Sequence, residues 1–263
     1  MKNIFKTALH RLRIPAAALA AACLFSGTAL AAEPAAGDEF LTQAAENIKA
    51  QKFEEAIENF NQSLEANPNN PNAVFARAQV WMQLKNIDNA LSDLNLAIGM
   101  APNAPLLYSA RADIYLAKNN GEAALADMNK IIELVPDNAQ PRIQRANLLH
   151  ALKKDAEAEA AYNQLAAQFP NDIAVFINRS RLYCDLKKSD LALADANRAI
   201  KLDANNPIAY NQRGVAFFQQ KLFEKAVADF NKALRLEPGY NMAVSNLVAT
   251  YAEMKKPAAP AAE

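Results

Sequence analysis

PIAYNQRGVAFFQQKLFEKAVADFNKALRLEPGY, residues 207–240, holds two amphipathic patterns separated by a short polar turn. Ala209–Gln219 and Glu224–Leu236 each place apolar residues three and four apart, the spacing of a helix with one buried face. Pro238 stops the second pattern because proline cannot continue a helix. Moving back in steps of 34 residues from Pro238 meets Ala204 and then Pro170, Pro136, Pro102 and Pro68. Pro71, Pro105 and Pro207 form a second series in the same register. The period runs without insertion through 37–70, 71–104, 105–138, 139–172, 173–206 and 207–240.

Other rows share this period. Position 20 of each unit is Ala56, Ala90, Ala124, Ala158, Ala192 and Ala226, and position 8 is Ala44, Ala78, Ala112, Ala146, Ser180 and Gly214. Bulky residues at positions 4 and 11 appear as Tyr108/Tyr115, Phe176/Tyr183 and Tyr210/Phe217. A 34-residue helix pair with small residues where the helices touch and proline near its end resembles the tetratricopeptide repeat family. The resemblance covers about residues 37–254. It implies an all-α, right-handed superhelical solenoid of about six helix pairs, closed by a capping helix at 241–254.

Asn69, Asn103, Asp137 and Asn205 beside the prolines are expected to cap the following helices. Glu54, Asp88, Glu122, Asp190 and Glu224 near the starts of second helices suit the positive end of the helix dipole. Position 7 is Arg77, Arg111, Arg145, Arg179 and Arg213, and position 23 is Asp93, Asp127, Asp195 and Asp229. The first unit lacks both charges, with Gln43 and Asn59, so ion pairs Arg77–Asp93, Arg111–Asp127, Arg179–Asp195 and Arg213–Asp229 are expected between the helices of a unit. Arg145 faces Ala161, which leaves a pairing with Asp127 open. Position 25 is asparagine in all six units (Asn61, Asn95, Asn129, Asn163, Asn197, Asn231), a poor residue inside a helix and so a sign of a recurring hydrogen bond.

Only six glycines and a charged fraction of 21% agree with a nearly all-helical chain. Lys2, Lys6, Arg11 and Arg13 precede an apolar run from Ile14 to about Leu30, the order of a secretory leader, with Ala29 and Ala31 fitting the cleavage rule. A leader at 1–32 is expected, with an uncleaved anchor or lipidation at Cys23 as alternatives. A linker follows at 33–36, and the Pro/Ala-rich residues 255–263 read as a disordered tail. Export to the periplasm follows from the leader. Its removal leaves 24 basic and 28 acidic residues, a poor balance for nucleic acid, and one cysteine, Cys184, so no intramolecular disulfide.

In the family, positions 2, 5, 9, 12 and 13 of first helices line a concave groove for peptides or helices. The resemblance places Phe75, Gln79 and Met82 there, then Leu106, Asp113 and Leu116. Ile143, Asn147 and His150 follow, then Ile177, Arg181, Cys184 and Asp185, and finally Ile208, Asn211, Val215 and Phe218. The expected function is a non-catalytic adaptor holding a protein or peptide partner; a self-assembling scaffold using the C-terminal helix is the alternative. The Lys and Asn clamp with which some members grip a carboxylate is missing at position 5. Lys153–Lys154 and Lys187–Lys188 form a modest basic patch, more in keeping with solvated loops than with an acidic partner. His150 with Cys184 is the one pair with chemistry to offer, but no oxyanion-hole motif and no metal-ligand set accompanies it. No cofactor or metal is expected.

Overall fold

A computed structural model describes residues 37–255, so the expected leader, the linker and residues 256–263 lie outside it. Thirteen α-helices and no strand occur among the described residues. None is long and apolar enough to cross a membrane. The chain divides between Pro141 and Arg142 into two compact units.

The first unit carries α1 (Asp38–Lys49), α2 (Phe53–Ala66), α3 (Pro71–Gln83), α4 (Ile87–Met100), α5 (Pro105–Ala117) and α6 (Gly121–Leu134). The pairs α1/α2, α3/α4 and α5/α6 pack together, and α2/α3 and α4/α5 join successive pairs. The second unit takes in most of α7 (Ala139–Ala151) and then α8 (Asp155–Gln168), α9 (Ile173–Asp185), α10 (Ser189–Leu202), α11 (Pro207–Gln219), α12 (Phe223–Leu236) and α13 (Asn241–Met254). Here α9/α10 and α11/α12 are the tight pairs, and the first helices α9, α11 and α13 are also neighbours. They form one face of this unit.

Small residues set how closely the helices of a pair approach. All six alanines of position 20 are fully buried. At Gly214 the requirement is strictest, because a Cβ there would lie 2.6 Å from the Phe230 ring. Ala would force a shift of a side chain that is itself buried in a close-packed interior.

Each repeat turns from its first helix to its second through a left-handed residue: Gln51, Lys85, Asn119, Lys153, Lys187 and Lys221, with φ of 58–65°. The following amide reaches back across the helix end, as in Asn86 N–H to Trp81 O at 2.8 Å and Lys188 N–H to Tyr183 O at 2.8 Å. This satisfies carbonyls that the ending helix would otherwise leave open. The lysine doublets are thus partly a turn device: Lys153 and Lys187 hold the left-handed position, and Lys188 pairs with Glu159 at 2.7 Å. Of the four expected caps, three sit one residue later, at Asn70, Asn138 and Asn206, and at the fourth, expected at Asn103, Ala104 occupies the cap position with no side-chain hydrogen bond. Asn70, Asp172 and Asn206 accept from amides of the next helix's first turn. Pro71 and Pro207 occupy the first helical position, so the cap must be the residue immediately before.

The dominant polar feature is a guanidinium shared by three helices. Arg77 of α3 donates from Nε and Nη2 to Asp93 of α4 at 2.9 and 2.7 Å, and from Nη1 to Asn61 of α2 at 2.7 Å. Arg111 joins Asp127 and Asn95 in the same way, Arg179 joins Asp195 and Asn163, and Arg213 joins Asp229 and Asn197. Three of these guanidiniums also lie between the rings of positions 4 and 11: Arg111 is 5.6 and 5.8 Å from Tyr108 and Tyr115, Arg179 is 5.7 and 5.8 Å from Phe176 and Tyr183, and Arg213 is 5.5 and 5.9 Å from Tyr210 and Phe217. The hydrogen bond to Asp127, opposed by burial, holds the Arg111 pKa above its already high value. In the first repeat a neutral amide chain takes this place, Asn47 donating to Asn59 and Asn59 to Gln43. In the fourth, where Ala161 supplies no carboxylate, the Tyr162 hydroxyl of α8 donates to Asn147 of α7 at 2.7 Å.

Removing Arg111 leaves the Asp127 carboxylate, whose side chain is 4% exposed, without its bidentate partner. Arg111→Ala is expected to cost about 3 kcal/mol in urea unfolding, whereas Lys118→Ala, which breaks an exposed bridge to Asp88, costs under about 1 kcal/mol. Equal midpoints for the two variants would contradict this.

Candidate functional site

The groove residues drawn from the sequence divide by burial. In the first unit Phe75, Gln79, Met82 and Leu116 are buried, Asp113 is half-buried and Leu106 is 63% exposed. Phe75 and Met82 belong to a buried cluster that also contains Leu107 and Ile114 of α5. Packing between successive repeats consumes the side chains expected to line an open strip. Ile143 is likewise 2% exposed and belongs to the core. The expected continuous apolar strip is therefore corrected: of its nine apolar members only Leu106 and Ile208 are exposed, with Ile177, Val215 and Phe218 half-buried.

In the second unit the first-helix face combines amides, an arginine and a cleft. Arg181 of α9 is exposed and donates through Nη2 to Asn178 at 2.7 Å and to Asn147 at 3.2 Å. Asn147 also accepts from Tyr162, whose phenol is pushed above its ordinary pKa by burial and so stays a neutral donor. One repeat further on, Asn246 of α13 donates to Asn211 of α11 at 2.9 Å. Asn211 is 1% exposed, and its Nδ2 has no hydrogen-bond partner. An orphaned buried amide donor costs about 1–3 kcal/mol of stability.

Beside this pair lies a cleft of about 240 Å³ lined by Val215, Phe218 and Gln219 of α11, Phe230 of α12, Asn246 and Ala249 of α13, and Lys187 at the α9–α10 turn. Small-molecule pockets run to roughly 300–1,000 Å³, so this cleft is scaled to a large side chain. Gln219 is fixed at both ends of its amide, donating to the Cys184 carbonyl at 2.9 Å and accepting from Ser189 at 3.0 Å. Phe218 packs against Phe223 with ring centroids 5.6 Å apart. The walls are thus held in place before anything enters.

Position-by-position transfer from the repeat pattern missed Asn178, Lys187, Phe230 and Asn246. A signal for two of them was present: position 6 carries an amide in the last four registers, Gln144, Asn178, Gln212 and Asn246.

His150 and Cys184 do not form a catalytic pair. The imidazole is held through Nδ1 by Asp155 at 2.6 Å and approached at Nε2 by Asp185 at 3.4 Å, so carboxylates occupy both ring nitrogens. Cys184 is 3% exposed, and burial foremost, with the nearby Asp185 charge adding to it, pushes its thiol up to about 12. A thiol so protonated is a weak nucleophile at neutral pH. Peptide mapping after iodoacetamide treatment at pH 8 is expected to find Cys184 modified in urea but scarcely in the native chain; rapid native labelling would contradict the assignment.

Family profiles agree with this architecture. A tetratricopeptide repeat profile matches residues 41–105 and 109–173, a second matches 207–240, and a TPR repeat profile matches 181–221. The chain belongs to the tetratricopeptide repeat family. No curated protein matches it. Among solved structures it is similar to a tetratricopeptide repeat protein from Parabacteroides merdae ATCC 43184, at 21% identity and TM-score 0.53, covering 95% of this chain and 99% of that one. It is also similar to YrrB, described as a TPR protein with an unusual peptide-binding site, at 18% identity and TM-score 0.50 over 72% of this chain and 97% of that one. A third is the APC/C hetero-tetramer Cut9-Hcn1, at 17% identity and TM-score 0.52, covering 83% of this chain and 43% of that one. At these identities the likeness concerns the fold.

Proposed function

We infer that this chain is a non-catalytic adaptor that holds a peptide or helical segment of another protein on the first-helix face of residues 142–255. The observation that carries this reading is the side-chain-sized, mostly apolar cleft whose lining includes Phe218, Phe230 and the amide of Asn246. An apolar anchor side chain enters between Val215, Phe218 and Phe230. Arg181, in its amide network one repeat away, favours an acidic group further along the ligand. Because Gln219 and Phe218 are held before binding, little ordering is required. The description of YrrB as peptide-binding supports a peptide ligand.

The protein is exported to the periplasm on this reading, by the charge pattern of residues 1–32. N-terminal sequencing of the protein from the cell envelope checks that point.

Selection of displayed peptides on the purified chain, followed by fluorescence anisotropy, tests the binding site. The selected peptides are expected to share a large apolar residue. Phe218→Asp should weaken them by roughly thirtyfold or more, as losing a central buried contact does. Asn211→Leu should leave the melting temperature nearly unchanged, since the lost Asn246 hydrogen bond is offset by removal of an orphaned donor. Leu106→Asp, in the first unit, should leave affinity intact. Undiminished affinity in folded Phe218→Asp would overturn the site. Phe75→Asp is no test of binding, because it places a charge in the core.

A further inference from the structure

We propose that two copies of this chain pair through α13, stripe to stripe and antiparallel. Helix α13 sits in the register of a first helix, so Val244, Val248 and Tyr251 lie 34 residues beyond Tyr210, Gly214 and Phe217 of α11. On α11 that face is turned to its own second helix, with Phe230 against Gly214. No second helix follows α13 among the described residues. Its stripe is open: Val244, Val248 and Tyr251 are 42, 64 and 45% exposed, at the four- and three-residue spacing of a single helix face.

The stripe departs from the repeat in a way that selects its occupant. Position 8 is Ala44, Ala78, Ala112, Ala146, Ser180 and Gly214 in the six complete repeats, and Val248 here. The branched side chain of Val248 keeps out a helix approaching as closely as α12 approaches α11, so the face is not shaped for another helix of the repeat type. A helix crossing at a wider separation fits it. The stripe is also free of charge, since no Asp, Glu, Lys, Arg or His lies between Glu237 and Glu253. A two-fold pairing sets each patch against itself, where any charge on the axis would meet its like, and this face has none to repel.

An antiparallel pairing centred between Leu247 and Val248 is complementary in size and charge. It places the smaller Val244 against Tyr251 of the second copy. It also brings Lys255 beside Tyr240 of the second copy, three residues from that copy's Glu237. Asn246 and Ala249, which line the cleft described above, lie on the other side of α13, at the angles that 3.6 residues per turn assigns them. The pairing leaves both clefts open, so a dimer would present two binding faces at once.

Sedimentation velocity of the purified chain across a wide concentration range tests this. The expected species has twice the mass of one chain and dissociates on dilution. Val248→Asp should raise the dimer dissociation constant by on the order of thirtyfold, with an unchanged helical circular-dichroism spectrum. Val248→Cys should form a disulfide-linked dimer under mild oxidation, whereas Met242→Cys, off the stripe, should not. A chain ending at Lys255 should still dimerise. A monomer at every concentration, a dimer that persists in folded Val248→Asp, equal cross-linking from both cysteines, or loss of the dimer on removing residues 256–263 would each overturn the proposal.

Discussion

In four of the six repeats one guanidinium joins three helices. Through Nε and Nη2 it grips an aspartate sixteen residues ahead, and through Nη1 an asparagine sixteen residues behind. The fork geometry makes this an arginine position: a lysine ammonium could satisfy one acceptor well but not hold two in fixed directions. In α4 the acceptor residues alternate with the chain's advance, Asp93 serving Arg77 and Asn95 serving Arg111, and α10 does the same with Asp195 and Asn197. Helices α4 and α10 are therefore held from both sides, by hydrogen bonds as well as by apolar packing. Aromatic rings at positions 4 and 11 shield the cation and use the face of the guanidinium that hydrogen bonding leaves free.

Where that device is replaced, its substitutes are chemically intelligible. The first repeat has no preceding second helix in the described residues, and it uses the neutral set Gln43, Asn47 and Asn59, which can be partly hydrated without the cost of isolating a charge. In the fourth, Tyr162 donates to Asn147, which also accepts from Arg181 beside Asn178. A hydrogen bond between the two helices of that repeat thus also anchors part of the polar face on which the proposed function rests. Rigid repeats then present that face without needing to rearrange.

Much of the fold was legible because its signals are periodic. Proline, alanine and small-residue rows coincide, and such coincidence has no explanation outside a repeated helix pair. The left-handed turn residues escaped notice because lysine, glutamine or asparagine stands where glycine would have announced them. Half of the arginine clamp was also hidden: the Arg–Asp spacing is apparent once both charges disappear from the first repeat, whereas the backward bond to asparagine joins two different repeats and has no such contrast. The site was read least well. Helical position alone does not say whether Phe75 or Phe218 faces an opening; that depends on how fully neighbouring helices fill the space, and a cleft opens beside α11 and α13. The orphaned Asn211 amide is visible only when every neighbour has been placed.

The central claim is that ligand binding concentrates on α11 and α13 in the second unit. Hydrogen–deuterium exchange of the chain with and without a saturating selected peptide measures this directly. The account predicts new protection within residues 207–219 and 241–254, with α1 to α6 unchanged. Protection confined to residues 38–134, with none on α11 or α13, would contradict it.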